Sequence, residues 1–301
     1  MLAFGAAALL VAALLVLRAP RRAPMRPELA VIRWGAVAVL GAIAAEAALA
    51  HRLLPLAAVV EWWQYALAPM GAAAVLAAVG AVLARRPQTP EVPVAPSGRR
   101  GWASFLPRRG AAAAASAVLV LLLTIVGAGL ASSPDDRGRW VDLVVAVPNS
   151  AVDPFRFHTF GWSCGVPVLL ALVALLAAAQ LVLRADALRP FRRPDTESLE
   201  RTERRRLAGA TVGLVVAATA LAVGEAWRLI GGAGLIETVR VGDEALATGS
   251  GAGAIATWIG GLAAVPTIAG FALLLLLAIA PSGTTARAHD VEPVERAVVA
   301  P

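Results

Sequence analysis

A chain of 301 residues that is 59% apolar and only 16% charged, with a mean hydropathy of +0.73, lies outside the composition of water-soluble domains. Its net charge of +7 comes from 27 arginines and no lysine, which excludes a Walker A nucleotide loop and the Schiff-base lysine of a retinal protein. The arginines flank long apolar runs instead of covering a soluble surface, so they point to a lipid bilayer as partner and not to nucleic acid.

In chain order, the first apolar run, 2–17, is followed and not preceded by Arg18, Arg21, Arg22 and Arg26. That order predicts a retained first span, not a signal peptide. Six further runs, 30–50, 64–84, 111–131, 164–183, 207–230 and 254–280, reach the roughly 20 residues needed to cross the hydrocarbon. The last is the longest, and Pro266 near its middle, with Gly260 and Gly261 shortly before, predicts a kink. The expected fold is all-α: a polytopic transmembrane bundle of about seven spans over 1–280, then a disordered cytoplasmic tail, 281–301.

Segments 18–33, 85–109, 184–206 and the tail hold 21 of the 27 arginines. Arg52, Arg137, Arg139, Arg156, Arg228 and Arg240 fall in the alternate segments. The positive-inside rule then places the N-terminus outside and the C-terminus inside, in a multi-pass protein of the cell (plasma) membrane. Trp62, Trp63, Tyr65, Trp162 and Trp227 fall at outer boundaries and Trp34 at an inner one, as interfacial aromatics do.

Between spans, the inner connector 85–110 contains Pro87, Pro90, Pro93, Pro96 and Pro107 and reads as extended chain along the membrane surface. Residues 195–206 read as a cytoplasmic extension of the sixth span, with Asp195 as cap, Glu197 and Glu200 in the early turns, and Arg204 to Arg206 approaching the headgroups. Two outer β-branched runs, 140–147 (WVDLVVAV) and 235–241 (LIETVRV), predict strands that pair with each other in a small extracellular sheet.

Little in the chain supports an enzyme. The single Cys164 excludes a disulfide within the chain and a CxxC pair. His51, His158 and His289 fall in loops or at span ends and form neither a paired haem ligand set nor HExxH, so no metal or cofactor is expected. Residues 161–165, GWSCG, match G-x-S-x-G with Ser163 in the nucleophile's place and His158 five residues earlier. A nucleophile elbow needs a strand before the serine and a helix after it. No strand is obvious in PFRFHTF, and a turn entering the fifth span accounts for the glycines. Gly209 and Gly213 form a GxxxG, read as close helix packing.

Ionisable groups inside spans are costly and each needs an account. Glu46 and Glu225 lie inside predicted spans, at one outer level, with Gln180 as a neutral companion; Arg228 is one turn past Glu225, and His51 and Arg52 share the rim. Two readings are open. Glu46, Glu225, Arg228, Arg52 and His51 line an outward polar pocket for a cation, proton or amine, or Glu225 pairs with Arg228 and Glu46 with Arg52 as a structural rim. The pocket implies a transport-system component or permease; the alternative is a signalling or assembly scaffold binding envelope and cytoplasmic proteins. The segments SSPDDRGRW and FGWSCGVPVLL, within this topology, resemble a family of polytopic membrane proteins from high-GC actinobacteria; that resemblance implies the seven-span topology and assigns no site.

Overall fold

In lipid every backbone N–H and C=O must be paired inside the protein, so apolar segments of spanning length fold as helices. The computed structural model describes residues 26–52, 62–85, 102–145, 155–191, 197–234, 238–241, 244–247 and 251–279. Among these, six helical segments are long and apolar enough to cross a membrane. They are α1 (Pro27–Arg52), α2 (Trp62–Ala84), α3 (Arg108–Ala131), α4 (Trp162–Leu188), α5 (Glu197–Gly234) and the consecutive pair α6 (Gly251–Leu262) and α7 (Ala264–Ile279). The protein is an all-α, membrane-spanning bundle with two small β elements. The run 2–17, the tail 281–301, Asp195 and His289 lie outside the described residues.

Helix α5 is the axle. Its 38 residues extend about 57 Å, well beyond a hydrocarbon core of about 30 Å, and it touches every other spanning helix among the described residues. Leu207, Leu214, Val215, Ala217, Ala218 and Leu221 bury its middle; the small residues let neighbouring backbones approach closely. Helix α3 lies alongside in parallel, with Gly110 beside Val212 near one end and the Trp227 indole donating to the Thr124 hydroxyl at 2.9 Å near the other.

The expected GxxxG contact is not where the helices meet. Gly209 faces open space and Gly213 makes only ordinary contact with Leu277. The close crossing is between Gly231 of α5 and Gly260 of α6, whose backbones are so near that a methyl group on either would overlap the other. In an Ala-rich helix, small-xxx-small spacing is too common to select the contact face.

The kink expected in the last span lies at Ala263, the single residue between α6 and α7. The Ala263 N–H folds back to the Gly260 carbonyl at 3.1 Å. Pro266 then falls in the first turn of α7, where a missing N–H is tolerated, and gives the Leu262 carbonyl no donor four residues on. The Thr267 hydroxyl donates to the Ala263 carbonyl at 2.8 Å.

Both β-branched runs contain strands, but they are not partners. Strands β1 (Ser133–Pro134), β2 (Trp140–Val145) and β3 (Phe155–His158) form one antiparallel sheet in that order; β4 (Thr238–Val241) pairs with β5 (Glu244–Ala247) in another. Each strand pairs with a neighbour close in sequence, which closes a much shorter loop than pairing across two spans would. Strand β3 lies in PFRFHTF, where none was expected; the FRFH alternation was its signal.

The bundle therefore has two distinct ends. The sheet end carries both β elements and the exposed Trp62 and Trp63. The arginine end carries the start of α1, the α4–α5 corner and a 3-10 turn, Trp102–Phe105, packed on α4 and α5.

Candidate functional site

At the sheet end two helices, α1 and α5, bring charged groups near a buried tyrosine of α2. Glu225 and Arg228 form an ion pair one turn apart on α5, their side chains 31% and 51% exposed. Glu46, near the end of α1, is half-buried. Arg228 and Glu46 both act electrostatically on Tyr65 of α2. Tyr65 is buried, and Phe160 from the loop after β3 meets its ring edge-to-face, centroids 5.4 Å apart. Glu46 and Arg228 thus both lie near Tyr65, read from sequence as an interfacial anchor, and Glu225 joins them through its pair with Arg228. The backbones of His51 and Arg52 form the last turn of α1; their side chains lie outside the described residues.

The interruption of the last span abuts this level. A side chain at Gly224, the residue before Glu225, would collide with the Thr267 hydroxyl at the start of α7. The broken helix is therefore packed directly against the turn of α5 that carries the ion pair. Interrupted spans expose carbonyls that continuous helices hide, and ion and substrate sites of transporters are often built at such breaks.

Above this layer the β1–β2–β3 sheet is fixed to the bundle. Val141 and Phe160 are buried with Tyr65, Leu121, Ile125 and Cys164. The Ser163 hydroxyl, in the first turn of α4, accepts the Trp140 N–H at 2.9 Å. Gly161 lies so close to the Trp140 carbonyl that a Cβ there would overlap it, so the first glycine of GWSCG is needed for close approach. The turn between β1 and β2 is built on Asp135, whose carboxylate accepts the Arg137 and Arg139 N–H groups at 2.9 and 2.7 Å and the Arg139 Nε at 2.8 Å. Gly138 takes the left-handed conformation there, with φ 76°. Burial opposes ionisation of Asp135, but the bonds from Arg139 and Arg137 outweigh it and hold the carboxyl below its usual range. His158, opposite Asp142 across the β2–β3 ladder, is held below the ordinary imidazole value mainly by burial, with Arg139 adding to it against Asp142 and Asp135.

The strand–turn–helix frame of a nucleophile elbow is thus present around Ser163, although the strand was not expected there. The chemistry does not follow from the frame. The Ser163 hydroxyl is a structural acceptor for a backbone amide, and the shallow groove of about 460 Å³ beside it is lined by Trp62, Arg139, Trp162, Val166 and Pro167, not by His158. A base must lie within hydrogen-bond reach of its serine, and no such contact joins His158 to Ser163 among the described residues.

The arginine end holds a cluster that sequence reasoning missed. Arg204, expected at the headgroups, is 2% exposed. Its guanidinium donates to the carbonyls of Asp186 (3.0 Å), Arg189 (2.9 Å) and Pro190 (3.1 Å), stacks over Phe191 and Phe105, and lies 3.8 Å from Glu200. Arg189 donates to the Leu83 carbonyl in the last turn of α2. Arg26 pairs with Glu203 at 2.9 Å. Glu28 and Asp186 are buried in the same region, with Asp186 in the field of Arg204, Arg26 and Arg189. The last carbonyls of a helix lack intrahelical donors, and a planar five-donor fork at a helix C-terminus satisfies several at once and complements the dipole. The signal was the adjacency of Arg204 to Glu200 and of Phe191 to the corner. Only the structure distinguishes Arg204, turned inward, from Arg205 and Arg206, which are exposed.

No protein-family model matches the chain, and neither does any curated protein or solved structure.

Proposed function

We propose that this membrane-spanning protein is a non-enzymatic transport component of the plasma membrane, a permease or permease subunit. Its sheet end faces outward, and its site is the polar layer of Glu46, Tyr65, Glu225 and Arg228. One observation carries the reading: the interruption of the last span at Ala263 is packed on Gly224, directly beside the Glu225–Arg228 pair. A broken helix next to ionisable groups on two other spans is the arrangement transporters use to bind small charged solutes. Among the described residues, two carboxylates and one guanidinium make up the layer, and the carboxylates suit a proton, a metal cation or a small amine.

The test is flux through purified protein in vesicles. With pyranine trapped inside and a pH step imposed, wild-type vesicles should conduct protons faster than empty ones, and Glu46→Gln and Glu225→Gln should each abolish the difference. Flux unchanged in both variants would end the reading for protons, and the same vesicles loaded with methylammonium or alkali cations extend the test to the other classes. The scaffold alternative is favoured by a separate observation: the sheet is anchored to the bundle yet presents Asp136, Arg137 and Trp140 outward. A scaffold would tolerate both Gln variants but lose a co-purifying partner when residues 141–160 or 199–206 are altered.

A further inference from the structure

At the arginine end, two sets of arginines have different surroundings. Arg26, Arg201 and Arg204 pair with Glu203, Glu197 and Glu200. Arg85, Arg108, Arg109, Arg184, Arg205 and Arg206 are all exposed, and among the described residues none of them has a carboxylate partner. They come from three helices and the residue that follows α2, and lie near the ends of the apolar spans. Among the described residues the inner set holds Glu203, Glu197 and Glu200 in ion pairs, and the outer set is exposed with no such pair.

Helix α3 makes the imbalance sharpest. It begins with Arg108 and Arg109, has no acidic residue in its first turn, and its N-cap Pro107 supplies no side-chain acceptor. Cations at a helix N-terminus oppose the dipole, whose positive end and free N–H groups favour an anion. The same helix then presents Leu119, Leu123, Val126 and Leu130 outward. Steps of 11, 15, 18 and 22 residues from Arg108 bring all four to within about 60° of its direction at about 100° per residue. A fixed positive group therefore stands at the foot of an exposed apolar stripe. That pairing matches one kind of molecule, an anionic amphiphile lying along the helix, better than it matches an acidic protein surface, which would leave the stripe uncovered.

We infer that the exposed arginines of this end seat the headgroups of anionic phospholipids, with Arg108 and Arg109 holding the phosphate and the outward face of α3 receiving an acyl chain. Arginine suits this role because its planar fork binds phosphate oxygens two at a time. The inference does not depend on what the sheet end transports.

Native mass spectrometry of the purified full-length protein, mixed with equal amounts of phosphatidylglycerol and phosphatidylcholine, provides the test. Wild type should retain phosphatidylglycerol at least several-fold more than phosphatidylcholine. Arg108→Gln/Arg109→Gln should remove most of that preference, and Arg205→Gln/Arg206→Gln a smaller part, with helical content and monodispersity unchanged. Equal retention of the two lipids by wild type, or an undiminished preference in the Arg108→Gln/Arg109→Gln protein, overturns the inference. Inorganic phosphate at millimolar concentration should not displace the lipid; displacement would mean that a free anion is the ligand. If the double variant does not fold, wild type measured over a salt series serves instead: the preference should fall as salt rises, and a salt-independent preference overturns the inference equally.

Discussion

The two ends of the bundle meet the same requirement, pairing the orphan groups of helix termini next to a membrane, with different chemistry. At the arginine end α2 and α4 both finish, so carbonyls need donors. Arg189 supplies one to Leu83, and Arg204 supplies three at the α4–α5 corner. At the sheet end α3 finishes and α4 begins, and the solution is short-range. The Ser132 hydroxyl donates to the Gly129 carbonyl at 2.7 Å, and the Ser163 hydroxyl accepts from Trp140. Arginines at the ends of apolar helices can thus close those ends by their geometry. At the sheet end charged groups instead form local pairs, Glu225 with Arg228 on one helix and Asp135 with Arg139 in the β1–β2 turn.

Removing Arg204 should break the comparison most visibly. Arg204→Met leaves three carbonyls and the neighbouring carboxylates without their cation in a buried setting, which should destabilise the protein by about 3–5 kcal/mol. Arg204→Lys, with a point charge instead of a fork, should fall between the two. Thermal unfolding in detergent reads both, and a methionine variant as stable as wild type would show that the corner is held by apolar packing alone.

At the sheet end Ser163→Ala removes one hydrogen bond and leaves the Trp140 amide unpaired, a loss of about 1–3 kcal/mol. Hydrogen exchange should increase at β2 and not at the α4–α5 corner. Wild-type protein should also resist labelling by a fluorophosphonate; covalent labelling at Ser163 would mean that the hydroxyl is a nucleophile after all.

Acidification should act first on the sheet end too. Burial lowers the His158 pKa in the folded protein, so below the usual imidazole value of 6.5 the unfolded chain binds more protons and stability falls with pH. Asp135, also lowered, adds a second loss only below the usual carboxyl value of 3.8. Stability between pH 7 and 5 should therefore decline in wild type and decline less in His158→Gln. Equal slopes would assign the pH dependence to other groups.

The chain's hydropathy made six long apolar helices legible, because a hydrocarbon core demands a minimum length and an apolar composition of any crossing helix. The Glu225–Arg228 pair was legible from spacing alone, since residues three apart share a helix face. What sequence did not show depends on side-chain direction and on contacts between elements. Arg204 and Arg205 are adjacent in the chain, yet one is buried and the other exposed. Tyr65 looked like a belt residue until Phe160 packed against it. The interruption at Ala263, not at Pro266 itself, depends on the Gly260 carbonyl taking the Ala263 N–H.

The smallest expected effect is also the most discriminating, because it sets two pairs of equal spacing on one helix against each other. Glu197–Arg201 is exposed, 2.6 Å apart; Glu200–Arg204 is separated by 3.8 Å but nearly enclosed, with side chains 13% and 3% accessible. Distance alone favours the first. Solvent screening and side-chain entropy hold an exposed pair at that spacing to about 0.3–0.5 kcal/mol, whereas Glu200 faces a buried guanidinium whose field is little screened. Glu197→Gln should therefore cost less than Glu200→Gln, even though Glu197 also loses a favourable position in the first turn of α5. Raising salt from 0.1 to 1 M should erase most of the Glu197 effect and little of the Glu200 effect. If Glu197→Gln proved the more damaging at both salt concentrations, the amphipathic start of α5 would depend on its own capping charge more than on the buried corner, and the arginine end would be a helix terminus like those at the sheet end.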